Sequence, residues 1–223
     1  EPDELLPAAC SLELVHTFSL VHDDLPALDD DDLRRGRPSA HVRFGEGVAI
    51  LAGDALLTEA FRLALAYPTP EVGRILAGAT LGMIGGQYVD VTTDGELDGR
   101  GLAELHRLKT GRLLAASIEV ALAVAALPER ERDPWRTFAD ELGLLFQIVD
   151  DILDATGTVV ELGKTPGKDA AAGKATYVSV YGLERSRALA DKARTRVEAK
   201  LDALPADTSV LAALVAAVRD RRV

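Results

Sequence analysis

The stretch from Leu20 to His41, LVHDDLPALDDDDLRRGRPSAH, constrains the fold of this chain more than any other. It places six aspartates, at positions 23, 24, 29, 30, 31 and 32, within ten residues and sets Arg34 and Arg35 directly behind them. Unpaired carboxylates are costly to bury, and an ordinary solvated face has no need of a tandem arginine. A second acidic cluster, Asp150, Asp151 and Asp154 in FQIVDDILD, follows about 120 residues later, with Lys164 and Lys174 behind it. A fold that brings the two clusters together calls for divalent cations, with a polyanion between them.

The residues between the clusters carry helical periodicity almost throughout. Amphipathic patterns predict helices over 4–22, 45–66, 71–91, 102–127, 135–155, 176–204 and 209–222, so the expected fold class is all-α. Pro26 ends the first helix, which leaves Asp23 and Asp24 at its carboxyl end, where the macrodipole disfavours carboxylates unless a cation offsets them. His16, Ser19 and Asp23 share one face of that helix. Residues 36–38 read as a loop. Gly53 is expected to allow close helix approach, and Asp54 reads equally well as a buried satisfied polar group or a site residue. On the helix over 135–155, Asp150 and Asp154 stack at i and i+4 with Gln147 and Asp151 beside them, a repulsive arrangement that a divalent ion reverses. No boundary divides the chain, so residues 1–223 are expected to form one domain.

Composition removes several alternatives. The excess of 36 acidic over 25 basic residues gives a formal net charge of −11 and argues against nucleic-acid binding. One cysteine, Cys10, allows no intramolecular disulfide and points to the cytoplasm. The longest apolar runs, at 120–127 and 211–218, are too short for a membrane span. Oxygen-only ligands favour Mg²⁺, with Mn²⁺ as the lesser choice. Arginine and lysine beside such a site hold phosphate oxygens, and the combination makes diphosphate a good leaving group. The intervening helices offer Leu, Ala, Val and Ile, lining suited to a hydrocarbon that can delocalise positive charge. An allylic diphosphate is such a substrate.

The segments HDDLPALDDDDLRRGRP, GQYVD, HRLKTG, FQIVDDILD and LGKTPGKDAAAGKATY resemble, in order, the signatures of the trans-prenyltransferase (polyprenyl synthetase) family, most nearly its bacterial farnesyl and geranylgeranyl diphosphate synthases. The resemblance implies an isoprenoid synthase fold, about ten helices around a central cavity, usually as a homodimer. It implies head-to-tail condensation of isopentenyl diphosphate with an allylic diphosphate (dimethylallyl, geranyl or farnesyl) at a cluster of about three Mg²⁺ ions. Carried over by position, Asp23, Asp24 and Asp29 form the first metal motif, and Asp150, Asp151 and Asp154 the second. Asp23, Asp29 and Asp150 are then the most direct ligands. Arg34 meets the allylic diphosphate; Arg35 and His16 meet isopentenyl diphosphate. Lys109, Lys164 and Lys174 hold the allylic diphosphate, Thr110 and Gln147 line the cation site, and Gln87 and Asp90 form a supporting GQxxD element.

The family's basic Gly-Gly-Lys-Arg type segment, expected well upstream of Asp23, has no counterpart in the 22 residues before it, so an N-terminal portion of the family fold is expected to be missing from this chain. Two other readings stay open: a class I terpene cyclase, against which the Asp150–Asp154 motif speaks, and a catalytically silent helical subunit of a heteromer. For product length the expectation is C15 ahead of C20. Ser19 is too small to close a pocket below Asp23, whereas the ring of Phe18 can floor it.

Overall fold

The computed structural model describes residues 2–93, 97–157 and 174–219. Its first helix, α1 (Pro2–Asp23), opens with Asp3 and Glu4, which suit the positive end of the helix dipole. Ala8, Ser11, Val15 and Phe18 are buried at helical spacing. That seam packs on α3 (Glu46–Ala64), whose buried positions Ala49, Gly53, Ala60 and Ala64 are all small and let the two axes approach. Gly53 does what the sequence predicts of it. A methyl there would collide with the imidazole of His22, whose Nε2 instead reaches the Ile50 carbonyl at 3.0 Å. Asp54 is exposed, so it is not a buried satisfied polar group.

Between α1 and α3 the RRGRP segment forms a two-residue hairpin, β1 (Leu33–Arg34) against β2 (Arg37–Pro38). Its turn residues Arg35 and Gly36 are both left-handed, at φ 53° and 72°, as the strand twist of tight hairpins requires. A short α2 (Ala40–Phe44) follows, and Gly45 at φ 87° separates it from α3. Next come α4 (Glu71–Thr92) and then α5 (Gly99–His106), whose first amides are capped by Asp98. The predicted helix over 102–127 is interrupted by one π-helical turn, Arg107–Gly111, before α6 (Arg112–Val124). The long α7 (Asp133–Thr156) carries the second acidic cluster. The predicted helix over 176–204 is in fact two. α8 (Tyr177–Tyr181) starts at a Thr176–Ser179 capping box, and Gly182 at φ 78° breaks it from α9 (Leu183–Asp202). The last described helix is α10 (Ser209–Arg219).

Two apolar cores hold these helices. One joins α1, α3, α4 and α6 through residues such as Val15, Phe18, Leu76, Met83 and Val120. The other joins α5 and α7–α10 through Leu102, Phe138, Leu145, Ile148, Tyr177 and Val197. At the end away from the aspartates, buried Arg132 donates to Glu71 at 2.6 Å and to the Leu127 carbonyl at 2.8 Å, tying α7 to α4 and α6. Residues 3–23 form a helix long and apolar enough, by length and composition, to cross a membrane, which a search for unbroken apolar runs overlooks. Little of it is buried: Ala8, Val15 and Phe18 enter the core, Leu5, Ala9 and Leu12 line the cavity described next, and Leu6 is exposed.

Candidate active site

The end of α1 is closed by its own acidic loop. The amides of Asp29, Asp31 and Asp30 return to the carbonyls of Asp23 (2.8 Å), Asp24 (3.1 Å) and Leu25 (3.2 Å). This satisfies orphan carbonyls of the helix terminus and swings Asp29 back beside Asp23. Pro26 and Ala27 form the outer part of the return.

The six aspartates then divide by role. Asp24, 2% exposed, is bound by the Arg34 guanidinium through Nε at 3.1 and 3.3 Å and through a terminal nitrogen, and Asp31 stands 3.5 Å from that nitrogen. These two carboxylates orient Arg34. Asp24 lines neither cavity of the site, whereas Asp23 lines both and Asp29 lines the polar one.

The π turn sits in a slot between two helices. A methyl on Gly86 of α4 would lie 2.5 Å from the Lys109 backbone nitrogen and 2.7 Å from its Cα. On the other side Gly143 of α7 faces the Cα of Gly111, at 3.3 Å from its own notional methyl. Glycines on both flanks let the turn seat against backbone, and the extra residue of a π turn re-aims the side chains it carries. Lys109 and Thr110 thereby reach both cavities. Lys109 Nζ pairs with Asp90 at 2.6 Å; Lys174 Nζ pairs with Asp29 at 2.6 Å and approaches Asp90 at 3.6 Å.

On α7, Gln147 and Asp150 line both cavities, while Asp151 and Asp154 line the polar one. Asp151 is deeply engaged. It accepts Gln147 Nε2 at 2.8 Å and the Tyr177 amide at 2.7 Å.

The two cavities differ in character and share a mouth. A polar chamber of about 230 Å³ is lined by Asp23, Asp29, Asp90, Asp150, Asp154 and Lys174, among others. A larger space of about 1110 Å³, mostly apolar, runs between α1, α4, α6 and α7. Leu20, Asp23, Arg34, Lys109, Thr110, Gln147 and Asp150 border both. His16, Arg35, Phe18 and Ser19 line the apolar space, which continues along α1 past Phe18 to Leu12, Ala9, Ala8 and Leu5. The Ser19 hydroxyl donates to the His16 carbonyl at 2.8 Å.

Burial and charge set the protonation states. Burial pushes the Asp23 carboxyl up to about 6 against the pull of Lys109, with Asp29 adding to the rise. Against its own burial, Asp90 is held below the ordinary carboxylate range by Lys109 and then Lys174. Burial lowers His16, opposed by Glu13 and helped by Arg35 and Arg34, so its imidazole is neutral at pH 7. Burial and then the charge of Asp151 push the Tyr177 hydroxyl up to about 12.

The donor set suits a hard cation. Asp23, Asp29, Asp150 and Asp154 offer oxygen only around one chamber, and a buried carboxylate raised to about 6 is short of positive charge. Among the described residues no group of three or more His, Cys, Asp or Glu forms a ready-made metal cage. The Gln87 amide faces the apolar space with buried nitrogen and oxygen that find no hydrogen-bond partner among the described residues, as expected of a group kept for a ligand.

Sequence reasoning placed most of these residues and missed others. Lys164 lies outside the described residues. The role of Asp31 as a second anchor of Arg34, and the 3.3 Å approach of His106 (in HRLKTG) to Asp151, were not foreseen. The signal for Asp31 is its spacing three residues before Arg34.

An all-α bundle whose helix ends gather carboxylates and cations at the mouth of a deep apolar cavity is an isoprenoid synthase fold. The chain belongs to the polyprenyl synthetase family, whose model matches residues 1–218. It is 46% identical, over 97% of its length, to the chloroplastic heterodimeric geranylgeranyl pyrophosphate synthase large subunit 1 of Arabidopsis thaliana, covering 62% of that protein. It is 41% identical, over 82% of its length, to farnesyl diphosphate synthase of Bacillus subtilis strain 168, covering 65% of it. Among solved structures it superposes, at TM-score 0.83 and 34% identity, on a Helicobacter pylori geranyltransferase complexed with magnesium and isoprenyl diphosphate, covering 97% of this chain and 74% of that one. The chain spans between 57% and 65% of the length of the curated relatives it matches.

Proposed function

We propose that the protein joins isopentenyl diphosphate head-to-tail to an allylic diphosphate and releases a short all-trans prenyl diphosphate. The observation that carries this is the shared mouth. Its polar side suits diphosphate and metal, its apolar side suits a growing hydrocarbon, and the same seven residues border both. In the reaction the allylic C–O bond breaks, a carbon–carbon bond forms between the two substrates, and one proton leaves the acceptor.

In this reading Asp23, Asp29, Asp150 and Asp154 hold about three Mg²⁺ ions together with substrate oxygens. When bound, magnesium supplies the positive charge that makes diphosphate a better leaving group. Arg34, oriented by Asp24 and Asp31, takes the allylic diphosphate with Lys109 and Lys174, and Lys164 is assigned with them. Arg35 and neutral His16 take the acceptor diphosphate. The Thr110 hydroxyl, the Gln147 amide and the Gln87 amide turn oxygen dipoles toward the allylic carbon as charge develops, and the apolar wall excludes water.

For product length we read C20 ahead of C15, on two grounds. Phe18 is only 7% exposed, packed edge-on to His22 within the α1–α3–α4–α6 core, and the cavity runs on beyond it. Many of the relatives are named as geranylgeranyl synthases, which favours the same reading. A second copy of the chain is the proposed partner. Exposed Val48, Ile50 and Leu51 on α3 and Leu81 on α4 offer apolar side chains for it, next to Ile84, Tyr88 and Val91, which line the apolar cavity. The chain is read as one domain, placed in the cytoplasm on its single cysteine. Carboxylates and cations kept on both sides of the chamber disfavour a silent subunit, and the aspartates of the second motif disfavour a cyclase.

The test is incubation with isopentenyl and dimethylallyl diphosphates and Mg²⁺, followed by extraction and sizing of the product. Coupled chains of C15–C20 are expected. Release of diphosphate without coupling, or cyclic hydrocarbon, refutes the reading.

A further inference from the structure

We propose that His106 is a positioning residue for the second carboxylate motif. By stacking on Tyr177 and bracing Asp151, it fixes the polar chamber at the junction of α5, α7 and α8. The inference rests on the functional reading above and adds a residue to it.

His106 is the last residue of α5, three positions before Lys109. Its side chain is 11% exposed, and its Nε2 lies 3.3 Å from Asp151 Oδ2. At that distance the nitrogen is buried and not aligned for a hydrogen bond, and it has no other partner among the described residues. Catalytic hydrogen bonds are often long before substrate binds and tighten afterwards. The ring stacks on Tyr177 with centroids 5.5 Å apart and planes 16° apart, and Tyr177 stacks in turn on Tyr181.

Asp151 is the hub of this arrangement. Its two oxygens receive the Gln147 side chain and the Tyr177 amide, both neutral donors, and its side chain is 6% exposed. A carboxylate has room for further donors beyond these two, and the imidazole edge facing Oδ2 is the group placed to supply a third. Each partner adjoins a residue of the site: Gln147 borders both cavities, Asp150 precedes Asp151, and Tyr177 follows Lys174 by three residues. The clamp therefore fixes three chain segments relative to one another, those carrying Lys109, Asp150 and Lys174. Partners of this kind, one layer behind the ligands, typically change metal affinity by about 10–100-fold when removed.

Three variants separate positioning from packing. His106→Gln presents an N–H where Nε2 stood, His106→Asn presents one where Nδ1 stood and cannot reach Asp151, and His106→Phe keeps the stacked ring without a donor. Two readouts are independent of turnover: exchange of the Tyr177 amide in metal-free protein, and binding of Mn²⁺ in the presence of inorganic diphosphate, followed by electron paramagnetic resonance. The Phe and Asn variants should lose Tyr177 amide protection and bind Mn²⁺ at least about tenfold more weakly, with melting temperatures close to wild type. The Gln variant should recover most of both. Wild-type binding and protection in the Phe or Asn variant, or no recovery in the Gln variant, overturns the proposal. If the wild type itself binds no Mn²⁺ with diphosphate, the functional reading falls and this one with it; if wild type binds and the Phe and Asn variants bind equally well, only this one falls.

Discussion

Replacing Gly86 with alanine tests whether the π turn is seated by backbone contact. The added methyl would stand 2.5 Å from the Lys109 nitrogen, 2.7 Å from its Cα and 2.9 Å from its Cβ. Two of those atoms are backbone, so no rotamer change can relieve the clash. Restoring ordinary contact at about 3.4 Å requires α4 and the turn to part by about 0.9 Å. Misplacement of about 1 Å in a catalytic constellation can cost on the order of 100-fold in rate. The Lys109–Asp90 pair bridges the two elements being separated, so the site absorbs most of the shift. Stability should suffer much less. Overpacking costs about 1–3 kcal/mol, and a helical Gly→Ala change returns about 0.5–1 kcal/mol. For a chain of this size the net is a few degrees in melting temperature. Gly85 supplies the control, since a methyl there meets nothing within 4 Å. Incorporation of isopentenyl diphosphate, measured beside a circular-dichroism melt, should show Gly86→Ala slowed about 100-fold and Gly85→Ala fully active and slightly more stable. Near-normal turnover in Gly86→Ala, or equal losses in both variants, would refute the reasoning.

Asp23, at about 6 folded against about 4 unfolded, gives the folded state more bound protons between those values, so metal-free stability falls as pH rises through that window. Asp23→Asn should therefore stabilise metal-free protein at pH 8 by up to about 3 kcal/mol, read from denaturant melts, with the gain gone below pH ~4 and turnover lost throughout; a gain that does not depend on pH would contradict this. Asp24→Ala leaves the Arg34 guanidinium without its main partner. It should cost about 1–3 kcal/mol and raise the Michaelis constant for the allylic diphosphate, and its effect should not add to that of Arg34→Ala. Additive effects in the double variant would show that Asp24 acts by another route. Ser19→Phe, one turn below Asp23, should shorten the main product, whereas Phe18→Ala should cost about 3–5 kcal/mol and change product length little. A large lengthening in Phe18→Ala would restore the ring as the floor of the cavity.

The helices and both acidic motifs were legible in the sequence because they depend on local spacing. Periodicity placed α1, α4 and α7 to within two residues at each end. It did not reveal that Gly45 and Gly182 break helices, because a single glycine within a helical pattern is ambiguous until its φ is known. The π turn was likewise invisible: it lies against Gly86 and Gly143 of neighbouring helices, a proximity the 107–111 segment does not reveal. The division of labour among the aspartates needed tertiary contacts. Asp23 and Asp24 are adjacent and alike in sequence, yet one lines the cavities and the other anchors Arg34 behind them. The contact of His106 with Asp151 was hidden for the same reason, its partner lying 45 positions away.

The chain of ion pairs Asp29–Lys174–Asp90–Lys109 means that the cations of the chamber already have partners. A polyanion that recruits Lys109 and Lys174 must first detach them from Asp90 and Asp29, and the carboxylates so released gain affinity for positive charge. On the proposed function, anion and divalent ion would therefore assist one another through these ion pairs. Thermodynamic reciprocity requires the factor by which Mg²⁺ tightens diphosphate to equal the factor by which diphosphate tightens Mg²⁺. Either ligand alone should bind weakly. On the proposed function, the chamber would exchange internal pairing for external pairing only when both ligands arrive, so neither would be held firmly by itself.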